Sequence, residues 1–247
     1  CCCCWHLTCL IPLIMNIIPF EEIDSTSSYL KTRYREMPNL SFCVSKLQTS
    51  GKGRLGRVWE SKKGENLLFS FLLKKPLPPF ELVSSYSAYL VMDFLTNLGI
   101  EGVSYKWPND VYVKDKKICG ILLEGVSVGD SLEALVVGIG LNVNQKEFNP
   151  SFKATSMALE MSFKFPLETI KEDIFYSFYT AFKEGINKSF IDELRKSNYL
   201  LGKKVTINQA GNLITGVVKD LDDSTFLVIE NEEGIHHIDS GEASIEK

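Results

Sequence analysis

Gly51-Lys52-Gly53-Arg54-Leu55-Gly56-Arg57-Val58-Trp59 interleaves three glycines with three cations and ends on an indole. Glycine has no Cβ, so its backbone can approach a ligand closely and take conformations closed to other residues. Lys52, Arg54 and Arg57 surround those glycines with positive charge, and Trp59 adds an aromatic face. The stretch reads as a loop that wraps an anion. A solvated basic turn explains the same composition when the segment is taken alone. Its spacing fits neither the G-x-x-x-x-G-K-[ST] phosphate loop nor the G-x-G-x-x-G dinucleotide fingerprint. The surrounding chain has to decide.

Three further segments extend the pattern. Lys106-Trp107-Pro108-Asn109-Asp110 gathers a cation, an amide and a carboxylate around a proline. Lys116-Lys117-Ile118-Cys119-Gly120-Ile121-Leu122-Leu123-Glu124 is a cationic turn running into an apolar strand. Gly138-Ile139-Gly140-Leu141-Asn142-Val143-Asn144 is a glycine-bearing strand end, and Asp24-Ser25-Thr26 lies upstream of the loop. In this order the segments resemble the biotin protein ligases (biotin–acetyl-CoA-carboxylase ligases), over roughly residues 17 to 247.

The resemblance implies an ATP-dependent enzyme that makes biotinyl-5′-AMP and passes biotin to a lysine of a biotin carboxyl carrier protein. That carrier would be an acetyl-CoA carboxylase subunit or part of another biotin-dependent carboxylase. Biotin and ATP are the substrates, with Mg²⁺ as cofactor. It places Lys117, Arg54 and Lys52 at the carboxylate and α-phosphate. Ser25, Thr26, Ser27, Gln48, Gly53 and Gly120 join Lys52, Arg54 and Lys117 around biotin. Arg57, Trp59, Lys106, Asn109 and Asn142 join Arg54 around ATP, and Asp110 is the candidate metal ligand. Gly138 and Gly140 would let strand ends approach the biotin ring. Two positions depart from the family. Lys52 stands where arginine is common, keeping the charge but losing the bidentate fork, and Ser27 follows Asp-Ser-Thr where asparagine is usual.

Hydrophobic periodicity gives the fold independently. Ile17–Ile23 reads as a strand, Ser28–Glu36 as a helix capped by the Ser/Thr turn, and Ser41–Gln48 as a strand delivering Gln48 to the loop mouth. The near-continuous apolar run Leu67–Leu73 is a covered strand. Residues 74–80, holding three prolines, form a loop before a helix over Glu81–Leu98, with Gly99 as its C-terminal cap. Short strands follow at Val103–Lys106, Val111–Val113, Ile118–Glu124 and Leu132–Leu141, with a hairpin turning at Lys114–Lys116. Helices are expected over Pro166–Ile186 and Ser189–Asn198. Strands first, then helices, argue α+β with a mainly antiparallel mixed sheet. The resemblance makes this a class II synthetase-like catalytic domain, residues 15–198. From about Leu200, short strands at Lys203–Ile207, Leu213–Val218, Thr225–Ile229 and Ile235–Asp239 suggest a small closed barrel. An SH3-like barrel over 199–247 is what the resemblance implies there.

Composition sets limits. A chain of 247 residues, 45% hydrophobic, has room for one large and one small domain. A net charge of −4 leaves no global basic field for nucleic acid. No run of eighteen apolar residues exists, so no spanning helix is expected. The opening CCCCWHLTCLIPLI holds five of the seven cysteines, four of them adjacent and unable to converge on one ion without strain. Residues 1–14 read as upstream sequence before a start at Met15. Cys43 and Cys119 then remain, an ordinary count for a reduced cytoplasmic protein.

Competing readings point to particular residues. A lipoate or octanoate ligase or transferase shares the fold, and an octanoyltransferase needs a catalytic cysteine beside a lysine, which nominates Cys119. Its place in an apolar strand favours a small buried residue instead. A non-catalytic biotin-binding protein would hold biotin without forming the adenylate. A DNA-binding regulator would need a helix-turn-helix, and the Asp-Ser-Thr turn beginning at residue 24 leaves no room, so no DNA partner and no membrane are expected. Adjacent His236 and His237 point to opposite faces of a strand and cannot share a metal, and Glu230–Glu233 reads as a solvated turn. Oligomeric state stays open between monomer and homodimer.

Overall fold

The computed structural model describes residues 15–209 and 211–246; the reading of residues 1–14 lies outside them. The elements run β1 (Ile17–Phe20), α1 (Thr26–Arg33), β2 (Phe42–Ser45), β3 (Leu67–Lys74), α2 (Phe80–Asn97), β4 (Val103–Lys106) and β5 (Asp110–Val113). Then come β6 (Lys116–Val128), β7 (Ser131–Leu141), α3 (Met157–Met161), α4 (Leu167–Glu184) and α5 (Phe190–Lys196). The chain closes with β8 (Lys204–Gln209), β9 (Asn212–Leu221), β10 (Leu227–Asn231), β11 (Gly234–Ile238) and β12 (Glu242–Ile245). Two compact units result: one takes the chain to Leu77 and again Ile121–Gly185, the other Pro78–Gly120 and Ile186 onward.

In the first unit β1 pairs parallel to β2, with Ile17 opposite Phe42. β2 pairs antiparallel to β3, and β3 to β7 from Leu67↔Leu141 to Lys74↔Ala134. The sheet is therefore mixed and mainly antiparallel, as expected. Alternation along these strands sends neighbouring residues to opposite faces. Cys43, Leu72, Ala134 and Val136 pack with Leu30 of α1 on one face. Phe42, Phe69 and Phe71 turn to the other and meet Phe175 and Phe178 of α4 at centroid distances of 4.8–5.8 Å. The run LLFSFLL is buried throughout because both faces are covered.

In the second unit α2 ends where its sequence says it must: Gly99 N–H donates to Thr96 O at 2.9 Å with φ of 88°. β5 and β6 form the expected hairpin, turning at Lys114, whose φ is 58°. The C-terminal strands pair in the order β11-β10-β9-β8-β12 around Val205, Ile207, Val218, Leu221, Leu227 and Ile229, all fully buried. The expected closed barrel is corrected here. β11 and β12 are the two edges of an open five-stranded sheet. A strand at Glu242–Ile245 was not foreseen, because its apolar alternation is confined to Ala243 and Ile245. α3, of five residues, is too short to show helical periodicity. Among the described residues no helix is long and apolar enough to cross a membrane.

Candidate functional site

The Asp-Ser-Thr turn is built by its own hydrogen bonds. Ser25 takes the N-cap of α1 in extended conformation, its Oγ accepting from Ser28 N–H at 3.3 Å, while Asp24 Oδ1 accepts from Ser25 N–H at 2.7 Å. Backbone bonds Ile23 N–H to Leu47 O (3.1 Å) and Thr49 N–H to Ile23 O (2.9 Å) bring the exit of β2 beside this turn. Gln48 is delivered there, and its Oε1 accepts from Thr26 N–H at 2.8 Å and Thr26 Oγ1–H at 3.1 Å. No acceptor meets the Gln48 side-chain amide among the described residues, so it is a donor available to a ligand carbonyl.

Beneath the turn lies a hydroxyl cluster that sequence reasoning missed. Ser70 Oγ is 2.7 Å from Thr26 Oγ1 and 2.9 Å from Ser27 Oγ, all three residues being buried. A lone serine within an apolar strand was the available clue. Gly138 lies opposite Ser70 across the β3–β7 ladder, and a Cβ there would stand 2.7 Å from Ser27 Oγ. Gly138 thus makes room for the protein's own serine.

The glycine–cation loop is a hairpin. Lys52 and Val58 pair, Gly53 N–H donates to Arg57 O at 2.7 Å, and Trp59 N–H donates to Gly51 O at 3.0 Å. At the tip Leu55 takes a left-handed φ of 54° and is 74% exposed, and Val58 is 69% exposed. Non-glycine residues avoid that region, so the tip is a strained, uncovered segment. Lys52 Nζ donates to Ser28 Oγ at 3.1 Å, which ties the loop to the Ser/Thr turn. A depression of about 650 Å³ opens between residues 49–58 and Leu122, Leu123 and Glu124. Glu124 is held by Lys31 at 2.8 Å.

Trp59 packs on β7 at Gly140, where a Cβ would lie 2.4 Å from indole Cε2. Gly140→Ala therefore displaces the ring or the strand and lowers stability by about 1–3 kcal/mol. A thermal melt checks this, and an unshifted midpoint would show that the ring moves aside freely. Asn142 braces the chain after β7, its Nδ2–H donating to Thr155 O at 3.0 Å.

The remaining candidates stand in the second unit. Lys106 closes β4 opposite Asp110, which opens β5 and pairs with Gly120 of β6. Lys117 Nζ lies 2.7 Å from Asp110 Oδ1, so the carboxylate aims the ammonium. Between them Tyr105 Oη–H donates to Pro108 O at 2.7 Å and fixes the Trp-Pro-Asn bend, in which Asn109 is half-buried. Lys116, at the hairpin turn, is exposed. Cys119 is fully buried, and burial pushes its thiol well above the usual cysteine range. His236 and His237 take separate partners, Asn231 at 2.9 Å and Asp222 at 2.7 Å. No group of three or more His, Cys, Asp or Glu among the described residues is placed to hold a metal.

Residues 20–142 match the Biotin/lipoate A/B protein ligase family, and residues 200–245 match the Biotin protein ligase C terminal domain. A biotin protein ligase from Aquifex aeolicus, solved in complex with biotin and ATP, aligns at a TM-score of 0.79 and 32% identity, over 94% of this chain and 99% of that one. The "Bifunctional ligase/repressor BirA" of Bacillus spizizenii is 28% identical over 240 residues, 90% of this chain and 72% of that protein. "Biotin--protein ligase 2" of Arabidopsis thaliana is 38% identical over 133 residues, 51% of this chain and 40% of that protein. Both parts of the chain thus carry the marks of enzymes that ligate a cofactor to protein. Within that class, the chain belongs to the biotin protein ligase family.

Proposed function

We propose that the chain joins biotin to one lysine of a biotin carboxyl carrier protein at the expense of ATP. The observation that carries this is the likeness over nearly the whole length to the Aquifex aeolicus ligase solved with biotin and ATP. In the first step a biotin carboxylate oxygen attacks the α-phosphorus, and the bond to the β-phosphate oxygen breaks. Biotinyl-5′-AMP forms and pyrophosphate leaves. In the second the carrier lysine, as free amine, attacks the acyl carbon, AMP departs, and the amine proton passes to solvent.

Both first-step reactants are anions, so positioning and charge stabilisation are the protein's task. Lys117, Arg54 and Lys52 take the carboxylate and α-phosphate. Ser25, Thr26, Ser27 and Gln48 hold the ureido ring, with Gly53 and Gly120 giving backbone approach. Arg57, Trp59, Lys106, Asn109 and Asn142 serve ATP. With no protein cage for a metal among the described residues, the set fits a Mg²⁺ carried by the nucleotide. Such an ion takes one or two carboxylates plus phosphate oxygens and offsets phosphate charge, and Asp110 would supply the carboxylate. The catalytic part is assigned to residues 15–198 and the C-terminal part to 199–247, acting in the cytoplasm on an acetyl-CoA carboxylase subunit or another biotin-dependent carboxylase. Octanoyl transfer through Cys119 is disfavoured because a buried thiol with a raised pKa is a poor nucleophile.

Incubation with biotin, ATP, Mg²⁺ and a carrier domain should add one biotinyl group to the carrier lysine, read by intact mass. Addition from lipoate or octanoate but not biotin would overturn the assignment. Gln48→Ala removes a donor to the ligand and one partner of Thr26. It should raise the KM for biotin roughly tenfold with little change in the KM for ATP. Equal shifts in both constants would count against the placement.

A further inference from the structure

Two ammonium groups of the second unit rest on tyrosine faces and neither is ion-paired among the described residues, since Asp110, opposite Lys106 across the ladder, pairs with Lys117. Lys106 Nζ lies 4.9 Å from the Tyr112 ring centroid and donates to Tyr112 Oη at 3.2 Å. Lys203 Nζ lies 3.4 Å from the centroid of Tyr199. The two tyrosine rings pack at 5.0 Å, so the amines sit around one aromatic pair. Backbone pairing fixes this arrangement. Tyr105 N–H donates to Ser197 O at 2.9 Å and Tyr199 N–H to Tyr105 O at 2.8 Å. The segment before β8 therefore runs along β4, and Lys203 enters the C-terminal sheet beside Lys106.

Other lysines nearby are neutralised. Lys204 pairs with Glu246 at 2.9 Å, Lys196 with Glu193 at 2.7 Å and Lys219 with Glu230 at 2.7 Å. Among the described residues neither Lys106 nor Lys203 has a carboxylate partner. Ring faces attract cations but cancel no charge, and two like charges held together repel. Burial, and then Lys106, push the Lys203 ammonium below the usual lysine range. A polyanion relieves both costs. With a net charge of −4 the chain offers no general attraction to anions, so the preference is local.

We infer that Lys203 joins Lys106 in a binding site for the phosphate chain of ATP and for the pyrophosphate product. The inference rests on the proposed ligase reaction, which consumes one and releases the other. It gives the C-terminal sheet a direct part in the first step: one of its lysines grips the leaving group. Lys203→Met keeps an apolar stem against Tyr199 while removing the charge, and Lys203→Arg keeps the charge.

Titration calorimetry with sodium pyrophosphate on the full chain provides the test. The Kd should rise about tenfold in Lys203→Met and stay within about threefold in Lys203→Arg. Melting temperatures of both variants should stay near wild type, and affinity for biotinyl-5′-AMP, which lacks the β- and γ-phosphates, should not change. Orthophosphate should bind wild type at least about tenfold more weakly than pyrophosphate. Unchanged pyrophosphate affinity in Lys203→Met would overturn the inference, as would orthophosphate binding as tightly as pyrophosphate. Pyrophosphate binding by a wild type that fails to biotinylate the carrier would sink the ligase reading and leave the anion site standing.

Discussion

Lys117→Ala should lower biotinyl-5′-AMP formation by roughly 10²–10³-fold, the loss expected when a fixed electrostatic stabiliser is withdrawn from a developing charge. Lys117 is the second residue of β6, with Asp110 Oδ1 2.7 Å away. That carboxylate holds the ammonium in one direction before any substrate arrives, so little reorganisation is needed during reaction. Removing the lysine also leaves Asp110 as an uncompensated negative charge where two anions must meet. Single-turnover measurement with labelled ATP and no carrier isolates the step. Preformed biotinyl-5′-AMP, supplied to the same variant, should restore much of the transfer to carrier. Adenylate formation within about threefold of wild type would remove Lys117 from the role assigned to it.

Phe42→Ala should lower the unfolding free energy of the first unit by about 3–5 kcal/mol, the range for emptying a buried aromatic site. Phe42 is completely buried and stacks on Phe175 at 4.8 Å and Phe71 at 5.7 Å, with Phe69 at 6.4 Å. It ties β2 to α4 through rings that cannot collapse inward without moving either element. Its neighbour Cys43 faces the opposite side, and β2 leads on to Gln48, so loosening this strand also frees one wall of the Ser/Thr turn. Urea titration measures the loss. A drop below about 1.5 kcal/mol would mean that α4 closes the void.

Strand LLFSFLL, helix α2 with its Gly99 cap, and the β5–β6 hairpin were legible because local pattern alone dictates them. The Ser/Thr turn and the glycine loop were legible as residue types in sequence order. What stayed hidden depends on partners distant in sequence. Ser70 gave no hint of meeting Thr26 and Ser27, since that contact exists only once β3 lies beneath α1. Gly138 and Gly140 gave no sign of the protein groups beside them, Ser27 and Trp59. The ion pair of Asp110 with Lys117 was hidden too, because the ladder sets Asp110 opposite Gly120 and Lys117 opposite Tyr112, and only the side chains bring the two together. Closure of the C-terminal strands could not be read either, because strand spacing does not say whether the two edge strands, here β11 and β12, pair with each other.

Trp59 seated on Gly140 also has a meaning for sequence change. The two positions are epistatic: neither can be judged alone. With tryptophan at 59, any side chain at 140 meets the ring, the first added carbon standing 2.4 Å from it. Shrink residue 59 and the same alanine at 140 finds space, so the double variant should be more stable than the sum of its two single losses allows. The path by which such a chain diverges would then run through the loop first and the strand second, because only that order avoids an intermediate with two groups in one place.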